Sequence, residues 1–144
     1  MPGDGAALLW TKTITTAIAA PGETQGTLTG MGVADQIIMS SVFDYGSGGT
    51  TAKAWLQTSF DNGTTWIDVV SHAFTTADLT KVSILSANVA PASQAFAPSD
   101  GALADNTVVN GALGDRYRVK VITTGTYGGS TTLTVHVTAR RRDI

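Results

Sequence analysis

Apolar and polar residues alternate one by one along much of the chain. Side chains of an extended strand point to opposite faces in turn, so a period of two marks a strand with one buried face. The cleanest case is Asp115-Arg-Tyr-Arg-Val-Lys-Val121. Tyr117, Val119 and Val121 share one face there, and Arg116, Arg118 and Lys120 the other. The stretch Thr132 to Ala139 repeats the pattern, with Leu133, Val135, Val137 and Ala139 set against Thr132, Thr134, His136 and Thr138. Gly125-Thr-Tyr-Gly-Gly129 joins the two segments. They are expected to pair as an antiparallel hairpin with one buried and one wet face.

Earlier segments give further strands. Thr11–Ala19 is rich in β-branched threonine and stops at Pro21-Gly22. Glu23–Leu28 is short and closed by Gly30-Met-Gly32. Gln36–Tyr45 is strongly apolar and predicts a buried strand, followed by a turn at Gly46-Ser-Gly-Gly49. Strands are expected again at Thr51–Phe60, Thr65–Val70 and Leu79–Val89. Seven to eight strands with frequent turns imply an all-β fold without substantial helix: an antiparallel β-sandwich or jelly roll, with an up-and-down barrel as the alternative.

Two regions break the pattern. Ala6-Ala-Leu-Leu-Trp10 is apolar without clear periodicity. Residues 1–10 are therefore expected to form a loose N-terminal arm on a single domain spanning 11–144, with Leu8, Leu9 and Trp10 covered by that domain or by a partner. Residues 86–114 are dominated by Ala, Pro, Ser, Gly and Asn. A structureless loop of this length is unusual in a compact domain. It either hides a short strand near Thr107-Val-Val109 or is an arm that orders on a partner.

Composition sharpens the picture. The chain has 144 residues, enough for one domain with a real core. Only 14% are charged, below the roughly 25% of an ordinary soluble domain. The polar surface comes instead from 23 threonines. The net charge of −2 points to no specific nucleic-acid partner, and no apolar run is long enough for a membrane span. The N-terminus lacks the basic and apolar regions of a signal peptide, and cysteine is absent, which fits synthesis in a cytosol. Six of the nine basic residues fall between Arg116 and Arg142. Arg140, Arg141 and Arg142 end the last strand, as a solvated terminus or as an anchor on an acidic surface. Arg116, Arg118 and Lys120 are expected to extend that patch and to guard against edge pairing.

Candidate chemistry is sparse. Asp residues sit mostly at strand ends beside Gly, Asn or Ser, where turns use them, and no carboxylate pair for glycoside hydrolysis stands out. His72 and His136 are the only histidines and lack metal-ligand spacing. No cofactor is implied, and no enzyme is expected. Trp10, Trp55, Trp66 and Tyr127 are the candidates for a glycan-stacking platform.

One motif is specific. Ser59-Phe-Asp-Asn-Gly-Thr-Thr-Trp66 matches Ser-x-Asp-x-Gly-x-Thr-Trp at every fixed position and resembles the Asp-box of sialidases. In those enzymes the box repeats on propeller blades, away from the catalytic centre. Here it occurs once, in a chain too short for such a propeller. It is expected to close a hairpin, with Ser59, Asp61, Gly63 and Thr65 shaping the turn and Trp66 packing back across it.

The stretches "AWLQTSFDNGTTWIDV" and "LGDRYRVKVITTGTYGGSTTLTVHVTARR", with the many Thr and Gly and the absence of Cys, resemble the small β-sandwich structural proteins of tailed-phage virions. That resemblance implies a non-enzymatic virion component made in the host bacterial cytoplasm. Capsid decoration (cement) is favoured, bridging major capsid protein subunits, with a homotrimer as the favoured oligomer. A head–tail connector, a tail or fibre module and a carbohydrate-binding module are the alternatives.

Overall fold

The computed structural model describes residues 6–88, 95 and 97–141. Ten strands follow one another: β1 (Ala6–Thr13), β2 (Glu23–Leu28), β3 (Ala34–Asp44), β4 (Ser47–Gly48), β5 (Thr51–Ser59), β6 (Ile67–Phe74), β7 (Leu79–Ser86), β8 (Arg116–Thr124), β9 (Tyr127–Gly128) and β10 (Thr132–Arg141). Eight of them form two four-stranded antiparallel sheets. The first has the order β1-β10-β3-β7 and the second β2-β8-β5-β6. The two-residue strands β4 and β9 make a small ribbon.

With that ribbon set aside, the first long strand pairs with the last, the second with the seventh, the third with the sixth, and the fourth with the fifth. This is a long hairpin rolled up on itself, the pattern of a jelly roll. Two further ladders, β10 with β3 and β8 with β5, complete the sheets.

The expected hairpin of the C-terminal third does not form. β8 lies in the second sheet and β10 in the first. Both strands do bury the predicted faces: Tyr117, Val119 and Val121, and Leu133, Val135 and Val137. Period-two alternation reports which face a strand buries, and it says nothing about its neighbour. The chain from Gly125 to Thr131 crosses between sheets, and Tyr127–Gly128 pairs with Ser47–Gly48 on the way. Tyr127 is buried there, edge-on to Phe43 at 5.6 Å, and Phe43 stacks on Phe74 at 5.2 Å. Gly49 lies against the Tyr127 ring with φ of 71°, where a side chain has neither space nor a favoured backbone conformation.

The N-terminal expectation is also corrected. Residues 6–10 form no loose arm; they open strand β1, and residues 1–5 lie outside the described residues. Leu9 and Trp10 belong to the core, with Trp10 fully buried, so neither is available to a partner. The register slips between Leu8 and Trp10, a bulge that turns two consecutive residues inward. The same bulge explains why the sequence shows no alternation there. Leu8 alone of the three faces solvent.

Open edges are covered differently on the two sides of the sandwich. Beside β1, the Gln25 side chain donates to Thr11 O at 2.9 Å and accepts from Thr11 N at 3.2 Å. It stands in for a neighbouring strand, and the Lys12–Glu23 ion pair at 2.8 Å reinforces it. Beside β6, residues 99–109 run along the edge. Asp68 N, Ser71 N and Val109 N donate to Ser99 O, Thr107 O and Val69 O. Val70 and Val108 form a bridge, so the irregular segment carries its short extended piece where Thr107-Val-Val109 predicted one.

Candidate docking surface

The Asp-box closes the β5–β6 hairpin. Ser59 Oγ accepts from Gly63 N at 2.8 Å and donates to Asp61 Oδ1 at 2.9 Å, which also accepts from Thr65 N at 2.7 Å. Asn62 and Gly63 take positive φ at the tip, at 60° and 89°. Backbone and side-chain bonds from Thr65, then the Ser59 bond, hold the Asp61 carboxyl below its ordinary pKa. Trp66 donates its indole N–H to Gly63 O at 3.1 Å, and the Arg118 guanidinium lies 4.4 Å above its ring. The side chains of Ser59, Asp61 and Trp66 are thus all used in making the turn.

A second carboxylate, unnoticed in the sequence, holds the long loop in place. Asp68 is buried beside the bulge in β6. It accepts from Gly101 N, Ala102 N and Leu103 N at 2.8 to 3.1 Å, from Ser99 Oγ at 2.9 Å and from Gln57 Nε2 at 2.8 Å. Three consecutive backbone N–H groups converging on one anion form a nest turned toward the protein's own side chain. An aspartate between Ile67 and Val69 in a strand pattern was the signal available, because aspartate is depleted in strands.

The anchored loop covers the outer face of the second sheet. Lys120, expected on a wet face, is 6% exposed and ion-paired with Asp100. Burial disfavours the Asp100 carboxylate, but bonds from Lys120 and Gln57 and the charges of Lys120 and Arg118 outweigh it and lower its pKa. Arg118 donates Nε–H to Gln57 Oε1 at 2.8 Å. Arg116, Arg118 and Lys120 therefore lie on an internal strand of one sheet, away from Arg140 and Arg141 on the other, and form no common patch with them. Arg142 lies outside the described residues. Trp55 is buried under the same loop and donates to Leu103 O at 3.0 Å. With Trp10 and Tyr127 also buried, Trp66 is the remaining ring of the expected glycan platform. It lines an open cleft of about 510 Å³ with Arg118, Asp100, Ser99 and Thr65.

Between the sheets sits a buried imidazole. His72 Nδ1 is 2.8 Å from Ser41 Oγ and Nε2 is 2.7 Å from Ser83 Oγ, so it bridges β6 to β3 and β7. Burial first, and the nearby Lys81 charge second, push its pKa down to about 4. No acid completes a catalytic relay through it in the described contacts. Among the described residues no three His, Cys, Asp or Glu side chains gather as a metal site.

The outer face of the first sheet is built differently. Its registers place three full rows across four strands. Ala6, Thr138, Ile38 and Ile84 make one row, Leu8, His136, Ser40 and Val82 the next, and Thr11, Thr134, Val42 and Thr80 the third. None of these twelve side chains is Lys, Arg, Asp or Glu. Leu8, Val82 and Ile84 are 52%, 61% and 52% exposed. Charges appear only beyond the ends of the rows, at Arg140 on one side and Asp44 on the other. Depletion of charge with exposed aliphatic groups is the composition of an interface centre, with a polar rim around it. The alternation of Val82 and Ile84 against Lys81 and Ser83 in β7 gives no sign in the sequence of which face is outward.

No protein-family model, no curated protein and no solved structure matches the chain. Function rests on the geometry itself.

Proposed function

We propose that the chain is a non-enzymatic structural protein of a tailed-phage virion, made in the host bacterial cytoplasm. Its favoured role is capsid decoration, bridging and reinforcing neighbouring major capsid subunits. One observation carries this reading: the two outer faces of the jelly roll are treated in opposite ways. The charged face is covered by the chain's own loop, and the bare face is uncharged and partly aliphatic. A face of the second kind costs solubility in an isolated domain and is useful in an assembly that covers it. Jelly rolls recur in viral shells and in lectins, which adds a fold-level analogy. Bridging needs affinity and shape, without reactive groups, and the strongest polar clusters here, around Asp61 and Asp68, are spent on holding loops.

The direct test is cosedimentation of the purified chain with shells of the major capsid protein from the same virus, followed by imaging of the decorated shells. Saturable binding at regular positions supports decoration. Absence of binding to shells, with binding to neck or tail structures, moves the chain to the connector or tail-module role. A carbohydrate-binding role is the second reading, and the Trp66 cleft favours it. Binding in a glycan screen that Trp66→Ala abolishes would establish that reading.

A further inference from the structure

The uncharged face is self-complementary, and we infer that it pairs with the same face of a second copy of this chain about a two-fold axis. The inference names the partner of the face on which the proposed function rests. A two-fold contact brings one patch against itself, so each row must suit the row it meets. Take the axis in the plane between two facing sheets, at right angles to the strands and through the row Leu8, His136, Ser40, Val82. Each residue of that row then meets its own copy. Leu8 packs on Leu8 and Val82 on Val82. The flanking rows exchange: Ile38 meets Val42, Ile84 meets Thr80, and Thr138 meets Thr134. Apolar groups face apolar or methyl-bearing groups throughout.

The ends of the rows decide the orientation. Arg140 stands opposite Gln36 in the ladder at one end, and Asp44 stands opposite Thr132 at the other. With the axis across the strands, Arg140 of one copy comes one strand spacing from Asp44 of the other, at both ends. With the axis along the strands, Arg140 comes beside its own copy and Asp44 beside its own. Charge complementarity therefore selects the first arrangement. Pairing of the β7 edge itself is disfavoured. Lys81 turns inward from β7 to Asn106 Oδ1 at 2.7 Å, and a strand added at that edge would close over its charge.

Four strands about 4.8 Å apart and five rows about 6.8 Å apart give a footprint of roughly 600 Å² per copy. Stable complexes bury about 800 Å² per partner, so the pair belongs to the small, weakly associating class.

The test is sedimentation equilibrium of the full chain at neutral pH, from micromolar to nearly millimolar concentration. A monomer–dimer equilibrium is expected. Val82→Lys places a lysine against its own copy on the axis and is expected to weaken the dimer by about tenfold or more. Leu8→Lys should act alike at the other end of the row and serves if the first variant folds poorly. Asp44→Arg and Arg140→Asp are each expected to weaken the dimer by a few-fold, and their combination to restore it. A monomer at every concentration, a trimer, or a dimer indifferent to both lysine variants overturns the inference. None of those results removes the decoration reading, which the shell-binding assay tests by itself.

Discussion

Lowering the pH from 7 to 5 should destabilise the fold through one side chain, His72. In the folded state burial holds its pKa near 4, against an ordinary value of 6.5. The unfolded chain therefore binds a proton at a pH where the folded one does not. Stability attributable to this group is full above pH 6.5, falls as the pH drops below that value, and stops falling below about pH 4. Linkage over that gap gives a loss of about 2 kcal/mol between pH 7 and pH 5, and about 3 kcal/mol once both states are protonated. Asp61 and Asp100 have lowered pKa values, so their contributions are lost only below the ordinary carboxylate range of about 3.8 and leave the window free. The assay is urea unfolding followed by fluorescence of the buried Trp10 and Trp55, at constant ionic strength across the range. His72→Gln keeps a side chain able to bond both Ser41 and Ser83 and removes the titration. It is expected to flatten the pH slope whatever it does to baseline stability. An unchanged midpoint in the wild type between pH 7 and 5, or an equal slope in the variant, would refute the assignment.

Two further outcomes follow from contacts already described. Asp68→Asn leaves at least one of the converging donors facing another donor, and should cost about 3 kcal/mol. Hydrogen exchange should quicken at Gly101, Ala102 and Leu103 while the amides of β3 and β10 stay protected. Gly49→Ala forces a Cβ against the Tyr127 ring at positive φ and should lower stability by about 2 kcal/mol or more, read as a drop in the unfolding midpoint at constant urea slope.

How much of this was legible depended on whether the signal was local. Burial by face was written directly in β8 and β10, because alternation needs only neighbouring residues; β3 read as apolar on both sides and hid that Ile38 and Val42 turn outward. The Asp-box hairpin was legible for the same reason, since its bonds span a few positions. Pairing was not, because a strand's partner is set by the whole roll; Val119 and Val135 carry the same pattern in different sheets. Trp10 looked like part of an arm because a bulge erased its periodicity. Lys120 looked solvated because the loop that covers it joins from residues 99–105, far along an irregular stretch. The docking face was the least legible part. Leu8, Ile38, Val82 and Ile84 come from three strands, and only the register shows that they share a surface with no charge between them.

The position of β10 has a consequence for the order in which the molecule can be made. It lies between β1 and β3, so the first strand of the chain has no ladder until the last one arrives. A ribosome releases residues 132–141 after every other strand of the two sheets. Until then β3 has β7 alone, and the first sheet is two pieces with a gap at its centre. Early folding falls to the β5–β6 hairpin, which a local turn closes; the second sheet likewise lacks its inner strand β8 until residues 116–124 follow. Loss of the final strand would therefore remove the middle of a sheet instead of trimming its border.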